Sequence, residues 1–507
     1  MPLPKNGTTW PPKSVRPLAS KFAEWGAWFS AEPKSIARFY QRGGPSTTSR
    51  VGGVKGALQR FWWGRPTSQE SDTAEQAHIP VASDIATGSS NLLYSEPPVF
   101  TCSEGDNQTS LDAYAEDFHR ELSAGAEIGA ALGGRYHRVT WDRALLGTPF
   151  ITTINPESAV PEFRYGRLVA VTLWFTVDIS GQRYTRHLER HELDTAGNGL
   201  IIHGLYEGGA DSLGMVRPLT EHPSTAHLAE VVDENGAVRD GRTPGLCVAY
   251  VANQTPQRGE WRFDPIGQHL GRSDYDGVEG LMDNLDEAFS SWMRDIRIGK
   301  GRVMVPYDYM RDNGPGLGAD FDLDRTVYDA LNVMPGEAAG SQIVAQQFKI
   351  RVDEHERTCN DILVHILNTA GYSPSTFGVG GDGVAMTATE VQARERKSFL
   401  TRGRKIRIER PAVSRLLTKM LSIDAAIFGT TGLITDAKVT VEFGDNVQDS
   451  MLTIATTVET LYRAKSASVR TRLQILHPQW DEPRIDEEVT AILSEDGTVT
   501  DPFSIGG

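Results

Sequence analysis

Eight apolar residues, Val278, Leu281, Met282, Leu285, Phe289, Trp292, Met293 and Ile296, recur at the three- and four-residue spacing of one helical face. This stripe constrains the chain more than any other stretch, because the residues after it cannot continue a helix. Residues 301–347 contain Pro306, Pro315 and Pro335 and a glycine-rich centre, Gly314 to Gly318, and read as irregular. They hold three arginines against seven acidic residues. A second helix is expected over 348–371, with Val352, Cys359, Leu363, Ile366 and Leu367 on its apolar side. The first helix, expected over 274–300, has Asp274, Asp276, Glu279, Asp283, Asp286 and Glu287 in its first half and Arg294, Arg297 and Lys300 at its end. That order complements the helix dipole.

Beyond the second helix lies a glycine-rich segment containing Gly378-Val379-Gly380-Gly381-Asp382-Gly383. Thr387-Ala388-Thr389-Glu390 then reads as a capping box opening a long helix that runs to about Phe428 and bends at Pro411. Residues 387–419 carry ten Lys/Arg against three Asp/Glu. A strand over Val439 to Phe443 and helices at about 449–464, 466–476 and 484–494 are expected to come next. On the N-terminal side, Pro80 suits the first turn of a helix that Pro97-Pro98 ends, and Leu111, Tyr114, Phe118, Leu122 and Ile128 mark another over 111–132. From about 135 to 265 the texture is of strands, among them Val169–Phe175, Leu200–Tyr206 and Leu246–Val251, with a hairpin signal at Asn235-Gly236. The class is α+β.

The net charge of −15 conceals an asymmetry: residues 1–65 hold eleven Lys/Arg against two Asp/Glu, so the remainder carries −24. The same segment holds Trp10, Trp25, Trp28, Trp62 and Trp63. Such an arm either docks on a partner or nucleic acid, or is flexible and anchored by its tryptophans to its own domain. The acidic body does not suit tight phosphate binding, which needs Lys/Arg neutralisation, but suits a surface that DNA slides past. No run approaches eighteen apolar residues and the first thirty lack an apolar signal core, so neither a membrane span nor a secretory leader is expected. Cys102, Cys247 and Cys359 read as reduced core thiols.

Candidate chemistry is sparse. His187-Leu188-Glu189-Arg190-His191 places the glutamate between two histidines, unlike the zinc-protease spacings, and in a strand context that puts 187, 189 and 191 on one face. Asp320, Asp322 and Asp324 imitate a calcium loop, but Arg325 and Leu331 stand where Gly and Glu are required. Gly378–Gly383 lacks the Gly-Lys-Ser/Thr ending of a phosphate loop. No catalytic residue, metal or cofactor is expected; the rival reading is a metal-dependent hydrolase using the His187–His191 region.

Several blocks occur in collinear order: Arg60-Phe61-Trp62-Trp63-Gly64-Arg65-Pro66, His78 to Pro98, Ser291 to Arg297 with Val303 to Pro306, Thr387 to Leu417, and Leu476-His477-Pro478-Gln479-Trp480. From about residue 50 to 495 this resembles the portal proteins of long-tailed bacteriophages. The resemblance implies a portal fold assembled as a ring, typically dodecameric, at one capsid vertex of the virion. It divides the chain into a basic arm (1–75), a wing (76–273), a stem helix (274–300), a clip (301–347), a second stem helix (348–371), a tunnel loop (372–386), a long kinked helix (387–428), and a wing-return strand with crown helices (429–507). It implies that Asp308, Asp312, Asp320, Asp322 and Asp324 belong to the clip, which meets the terminase large subunit and later the head-completion adaptor. Major capsid and scaffold proteins are further implied partners, with double-stranded DNA passing non-specifically and no membrane involved. Gly378, Val379, Gly380, Gly381, Asp382 and Gly383 would form the tunnel loop. Arg294, Arg297, Lys300, Lys349 and Arg351 gather near the stem–clip junction, as a positive ring on the channel wall or as helix-end and subunit–subunit charge compensation.

Overall fold

The computed structural model describes residues 3–40, 77–238, 242–298, 302–304, 311–312, 319–320, 344–346, 350–379, 388–444, 451–477, 480 and 482–496. The chain begins with helix α1 (Arg16–Ser30), whose Leu18, Phe22, Trp25 and Trp28 form a buried stripe. Helices α2 (Val81–Tyr94) and α3 (Asn107–Leu132) come next, the latter with Leu111, Tyr114, Phe118 and Leu122 buried as their spacing requires.

The strand-rich block is antiparallel throughout. Strands β4 (Ala159–Arg164), β5 (Arg167–Ser180), β6 (Arg183–Leu193), β7 (Gly199–Gly208) and β8 (Met215–Arg217) form a five-stranded sheet in sequence order. Strands β2 (Gly134–Thr140), β3 (Phe150–Ile154) and β9 (Val248–Ala252) form a second sheet, with β2 central. Val171 and Leu173 of the first sheet share a core with Tyr136 and Val248 of the second. Asn235-Gly236 closes a tight turn, with Gly236 N–H donating to Asp233 O at 3.0 Å and Asp233 N–H to Ala237 O at 2.7 Å.

Helix α4 (Glu279–Ile298) starts five residues later than the charge pattern suggests. Asp274 donates its N–H to Ala130 O at 2.9 Å, which ties the approach to α3 instead. Glu279, the first residue of the helix and favoured there by the dipole, binds back to the preceding chain and to α1: one carboxylate oxygen accepts Gly277 N–H at 2.7 Å, while the other accepts Lys21 Nζ at 2.6 Å and Trp25 Nε1 at 3.0 Å. Helix α5 (Val352–Ala370) packs against α4 in the antiparallel sense, since Asp295 near the end of α4 meets His355 near the start of α5 at 2.9 Å. Val278, Met282 and Leu285 share a core with Cys359, Ile366, Leu367 and Ala370.

The segment between these helices differs from expectation. It is not wholly irregular: β10 (Arg302–Met304) pairs with β13 (Val344–Gln346), and β11 (Arg311–Asp312) with β12 (Ala319–Asp320). The outer partners are separated by some forty residues, so no local turn signal announces them, whereas the inner pair brackets the Gly314–Gly318 run.

Helix α6 (Ala388–Ile423) contains Pro411 and continues into one π-helical turn, Asp424–Phe428, which carries the helix to the expected end. The capping box at 387–390 lies outside the described side chains. Strand β14 (Thr440–Glu442) pairs antiparallel with β1 (Val99–Thr101), returning the chain to its N-terminal half. Helices α7 (Met451–Arg463), α8 (Val469–Leu476) and α9 (Glu482–Asp496) finish it.

Of the two readings of the N-terminal segment, residues 3–40 fit the one in which tryptophans anchor it to its own domain, because tryptophan burial outweighs the solvation of a few lysines. Trp10 is 1% exposed and meets Trp174 of β5 edge-on at 6.1 Å; Trp25 meets Trp261 at 5.2 Å. Trp62 and Trp63 lie outside the described residues. Cys102, Cys247 and Cys359 are free and buried, as expected.

Candidate functional site

The base of the glycine-rich segment is built by three helices. Gly371, with φ of +100°, ends α5, and an added Cβ there would stand 3.0 Å from Thr401 Oγ1 of α6. Thr401 Oγ1 donates to Gly371 O at 2.6 Å, Ser373 N–H to Ser398 Oγ at 2.9 Å, and Thr376 and Ser398 share a hydroxyl bond at 2.8 Å. The Phe377 ring lies so close to Gly88 of α2 that a Cβ would stand 2.7 Å from it. Residues 372–377, the first part of the segment expected as the tunnel loop, are therefore clamped to α2 and α6, and Tyr372 and Ser373 are buried. Gly378, with φ of +73°, is exposed, and a Cβ there would meet nothing within 4 Å, whereas Val379 contacts the core shared by α4 and α5. Gly380, Gly381, Asp382 and Gly383 lie outside the described residues.

Beneath this base sits a buried ionic hub. Asp274 Oδ2 accepts Lys405 Nζ at 2.6 Å and Tyr372 OH at 2.7 Å, while Oδ1 accepts Asn253 Nδ2 at 2.9 Å and Gln254 Nε2 at 2.5 Å. Lys405 Nζ also reaches Ser89 Oγ at 2.5 Å. Burial by itself would raise the Asp274 carboxyl, but Lys405 and the donated hydrogen bonds outweigh it and hold it below the usual carboxylate range. One turn along α6, Arg135 Nη2 donates to both carboxylate oxygens of Glu409, at 2.9 and 2.8 Å, and Tyr94 OH donates to Glu409 Oε2 at 3.1 Å. Arg135 Nε donates to His137 Nε2 at 2.8 Å, and burial followed by the Arg135 charge pushes His137 well down, so that it stays neutral. Gly125 and Gly129 of α3 leave the slot in which Arg135 lies; a Cβ on either would come within 2.9–3.0 Å of it. The hub joins the approach to α4, the end of β9, the base of the glycine segment, α2 and α6. Its buried charges are paired with one another, so it couples these elements mechanically.

Sequence reasoning did not single out Arg135, Asp274, Tyr372, Lys405 or Glu409 as a unit. Two signals were present: glycines at four-residue spacing at 125, 129 and 133, and Glu409 as one of few acids in a basic helix.

Of the basic cluster expected near the helix junction, the described side chains are Arg294 and Arg351. Arg294 is exposed on α4. Arg351 is also exposed and lies 3.4 Å from Asp295 of the same chain, where His355 binds as well; this is local charge compensation at the helix junction. The Arg297 side chain, Lys300 and Lys349 lie outside the described residues. Asp312 and Asp320 stand in paired strands opposite Ala319 and Arg311, whereas Asp308, Asp322 and Asp324 lie outside them.

The histidine motif does lie on a strand, and its third neighbour comes from the adjacent one. Glu189 of β6 faces His203 of β7, and His187 Nε2 is 3.1 Å from His203 Nδ1. The ligand atoms of His187, Glu189 and His203 lie within 4.8 Å of one another, beside a cavity of about 430 Å³. His191, the second histidine of the motif, instead reaches Glu189 Oε1 with Nε2 at 2.6 Å, and Arg138 pairs with Oε2. Burial drives the His203 imidazole down to about 3 and lowers His187, against the opposing pull of Glu189. Burial would raise Glu189, but Arg138 and then His191 hold it well below the carboxylate range. Both carboxylate oxygens are thus engaged, the imidazoles bond each other, and a divalent cation would have to displace an arginine. The arrangement reads as a mostly paired buried polar network, with His191 Nδ1 buried and without a hydrogen-bond partner among the described residues.

Comparison with known families points the same way as the order of elements. The family model described as phage portal protein, SPP1 Gp6-like, matches residues 63–500. A search of curated proteins finds no match. No helix among the described residues is long and apolar enough to cross a membrane.

Proposed function

We propose, from the premise that this chain belongs to the phage portal protein family and is a structural component of the virion capsid, that it assembles as a closed ring through which double-stranded DNA passes. The ring is expected to be dodecameric and to occupy one capsid vertex. In this reading α4 and α5 are the stem, and residues 301–347, with Asp308, Asp312, Asp320, Asp322 and Asp324, are the clip. The clip meets the terminase large subunit during packaging and the head-completion adaptor afterwards. Scaffold and major capsid proteins surround the ring as it assembles in the host cytoplasm, and DNA leaves by the same channel at ejection. The segment 378–383 projects toward the DNA, and its glycines permit close approach to a helical polyanion. No step of catalysis is assigned to the chain.

One observation carries the reading. An antiparallel helix pair leads into and out of the 301–347 segment, and the chain then passes directly to a glycine segment whose base is clamped on the long helix. Light scattering and negative-stain microscopy of the purified chain, alone and with its scaffold, test it. Rings of about twelve subunits with a central hole, a symmetry typical of closed homo-oligomers, are the expected result. A monomer or dimer that persists in both conditions overturns it.

A further inference from the structure

Helix α6 has two faces of opposite character. Ser398, Thr401, Lys405, Glu409, Ala412, Val413 and Leu416 are buried. Lys397, Leu400, Arg404, Arg407, Pro411 and Arg415 are exposed and recur at three- or four-residue spacing, so they form one seam along the helix. The seam carries four cations and no anion. Arg404, Arg407 and Arg415 form no ion pair among the described residues, and repeated like charges at this spacing destabilise a helix by a few tenths of a kcal/mol each. The basic character extends to neighbouring elements. Arg167 at the β4–β5 turn lines the same groove as Arg415, and burial together with the charges of Arg258 and Arg404 lowers Arg272. That groove, of about 850 Å³, is walled by Phe163, Leu168, Tyr250, Ile408 and Pro411 as well as by Arg167, Arg415, Lys419 and one acid, Asp436. Leu400, 57% exposed, adds an apolar residue to the seam.

We propose that this seam and groove receive an acidic surface of a second copy of the chain, in a head-to-tail contact. The occupant follows from charge and symmetry. A patch of one sign cannot face itself across a twofold axis, so a contact through it must join two different surfaces, and such contacts close into rings or extend into filaments. The chain supplies the complement itself, since residues beyond the basic N-terminal segment carry −24. The exposed run Glu104, Asp106, Asp112, Glu116 and Asp117 on and before α3 is one described surface of the required sign. The apolar walls of the groove favour a protein segment over DNA, which a purely cationic track would serve. The inference rests on the ring reading and deepens it by naming one side of the subunit contact.

The test compares the full-length wild type with R404E/R407E/R415E and with R404Q/R407Q/R415Q, by native mass spectrometry and by sedimentation over a range of concentration and salt. Circular dichroism melts of each confirm folding, and the glutamine variant keeps the question open if charge reversal impairs it. The expected result is that reversal raises the concentration for half-assembly by at least about tenfold, as unfavourable like-charge contacts require, that neutralisation has a smaller effect, and that wild-type rings weaken with salt. Equal assembly of all three overturns the proposal while leaving the ring intact. Normal rings with lost retention of double-stranded DNA assign the seam to DNA and overturn it equally. A wild type that never assembles overturns the ring reading, and this inference falls with it.

Discussion

Lys405 and Asp274 stand 131 residues apart in the chain and 2.6 Å apart in the fold, with side chains 3% and 0% exposed. The pair ties the long helix α6 to the approach of α4, and Tyr372 brings the base of the glycine segment to the same carboxylate. Lys405→Met leaves Asp274 buried and uncompensated, and is expected to lower stability by about 3–5 kcal/mol. Adding Asp274→Asn should recover a large part of that loss, because the orphaned charge goes with it. Urea unfolding of the subunit measures both. If the double variant is no more stable than Lys405→Met, the pair is not the unit described.

Trp10 distinguishes a docked N-terminal segment from a free arm. Its ring is enclosed by Leu188, Tyr206 and Leu213 of the strand block, with Trp174 at its edge. Trp10→Ala should cost about 3–5 kcal/mol, the range for deleting a buried aromatic. Limited proteolysis should then cut within residues 3–40 far faster than in the wild type. Unchanged cleavage and stability would return this segment to the status of an arm.

The sequence made the helices legible because their apolar spacing is set by one packing face each, as in Val278 to Ile296 and Leu111 to Leu122. Strands β5, β6 and β7 were legible from alternation and turns. Composition left two placements open for the N-terminal segment because it reports charge, whereas the docked placement is decided by Trp10 and Trp25 finding partners at Trp174 and Trp261. The hub was invisible for a related reason: Asp274 reads as one more acid at a helix start and Lys405 as one of ten cations on α6. Only long-range folding distinguishes a residue that is neutralised in the interior from its solvated neighbours. His203, likewise, had no sequence link to Glu189; strand pairing alone brings it opposite.

His203 sets the onset of acid sensitivity. Its folded value of about 3 lies below the ordinary 6.5, so the unfolded chain takes up a proton first as pH falls. Stability is therefore full above about pH 6.5 and declines below it, by up to about 1.4 kcal/mol per pH unit for this one group. His187 and His137, also lowered by burial, act in the same direction. Glu189 and Asp274, held below the carboxylate range, add their own loss only at lower pH. Urea midpoints at pH 7, 6 and 5 should fall progressively, and His203→Gln should flatten the slope. A midpoint constant down to pH 5 would show that the imidazole titrates normally.

Gly371 holds the turn between α5 and the clamped segment. Alanine there meets a left-handed backbone and Thr401 Oγ1 at 3.0 Å, so Gly371→Ala should destabilise by about 1–2 kcal/mol. Thr401→Val removes the hydroxyl donated to Gly371 O and should cost about 1 kcal/mol with no strain. The two residues touch, so their effects should not add. Thermal melts of the single and double variants check this; strict additivity would mean that the contact does not hold the turn.

Metal removal separates the buried histidine network from the rival hydrolase. In the network, Arg138 and His191 already occupy both oxygens of Glu189, and His187 bonds His203 at 3.1 Å. Zinc added to the purified chain should bind there below stoichiometry, and EDTA should leave the melting temperature unchanged. Arg138→Ala provides the stringent control, because it frees one carboxylate oxygen and leaves His187, Glu189 and His203 within 4.8 Å of one another. That variant should gain zinc affinity relative to wild type if the arginine is what excludes the cation. Stoichiometric zinc in the wild type, lost together with thermal stability on chelation and on His203→Ala, would make this a metal centre and reopen the question of catalysis.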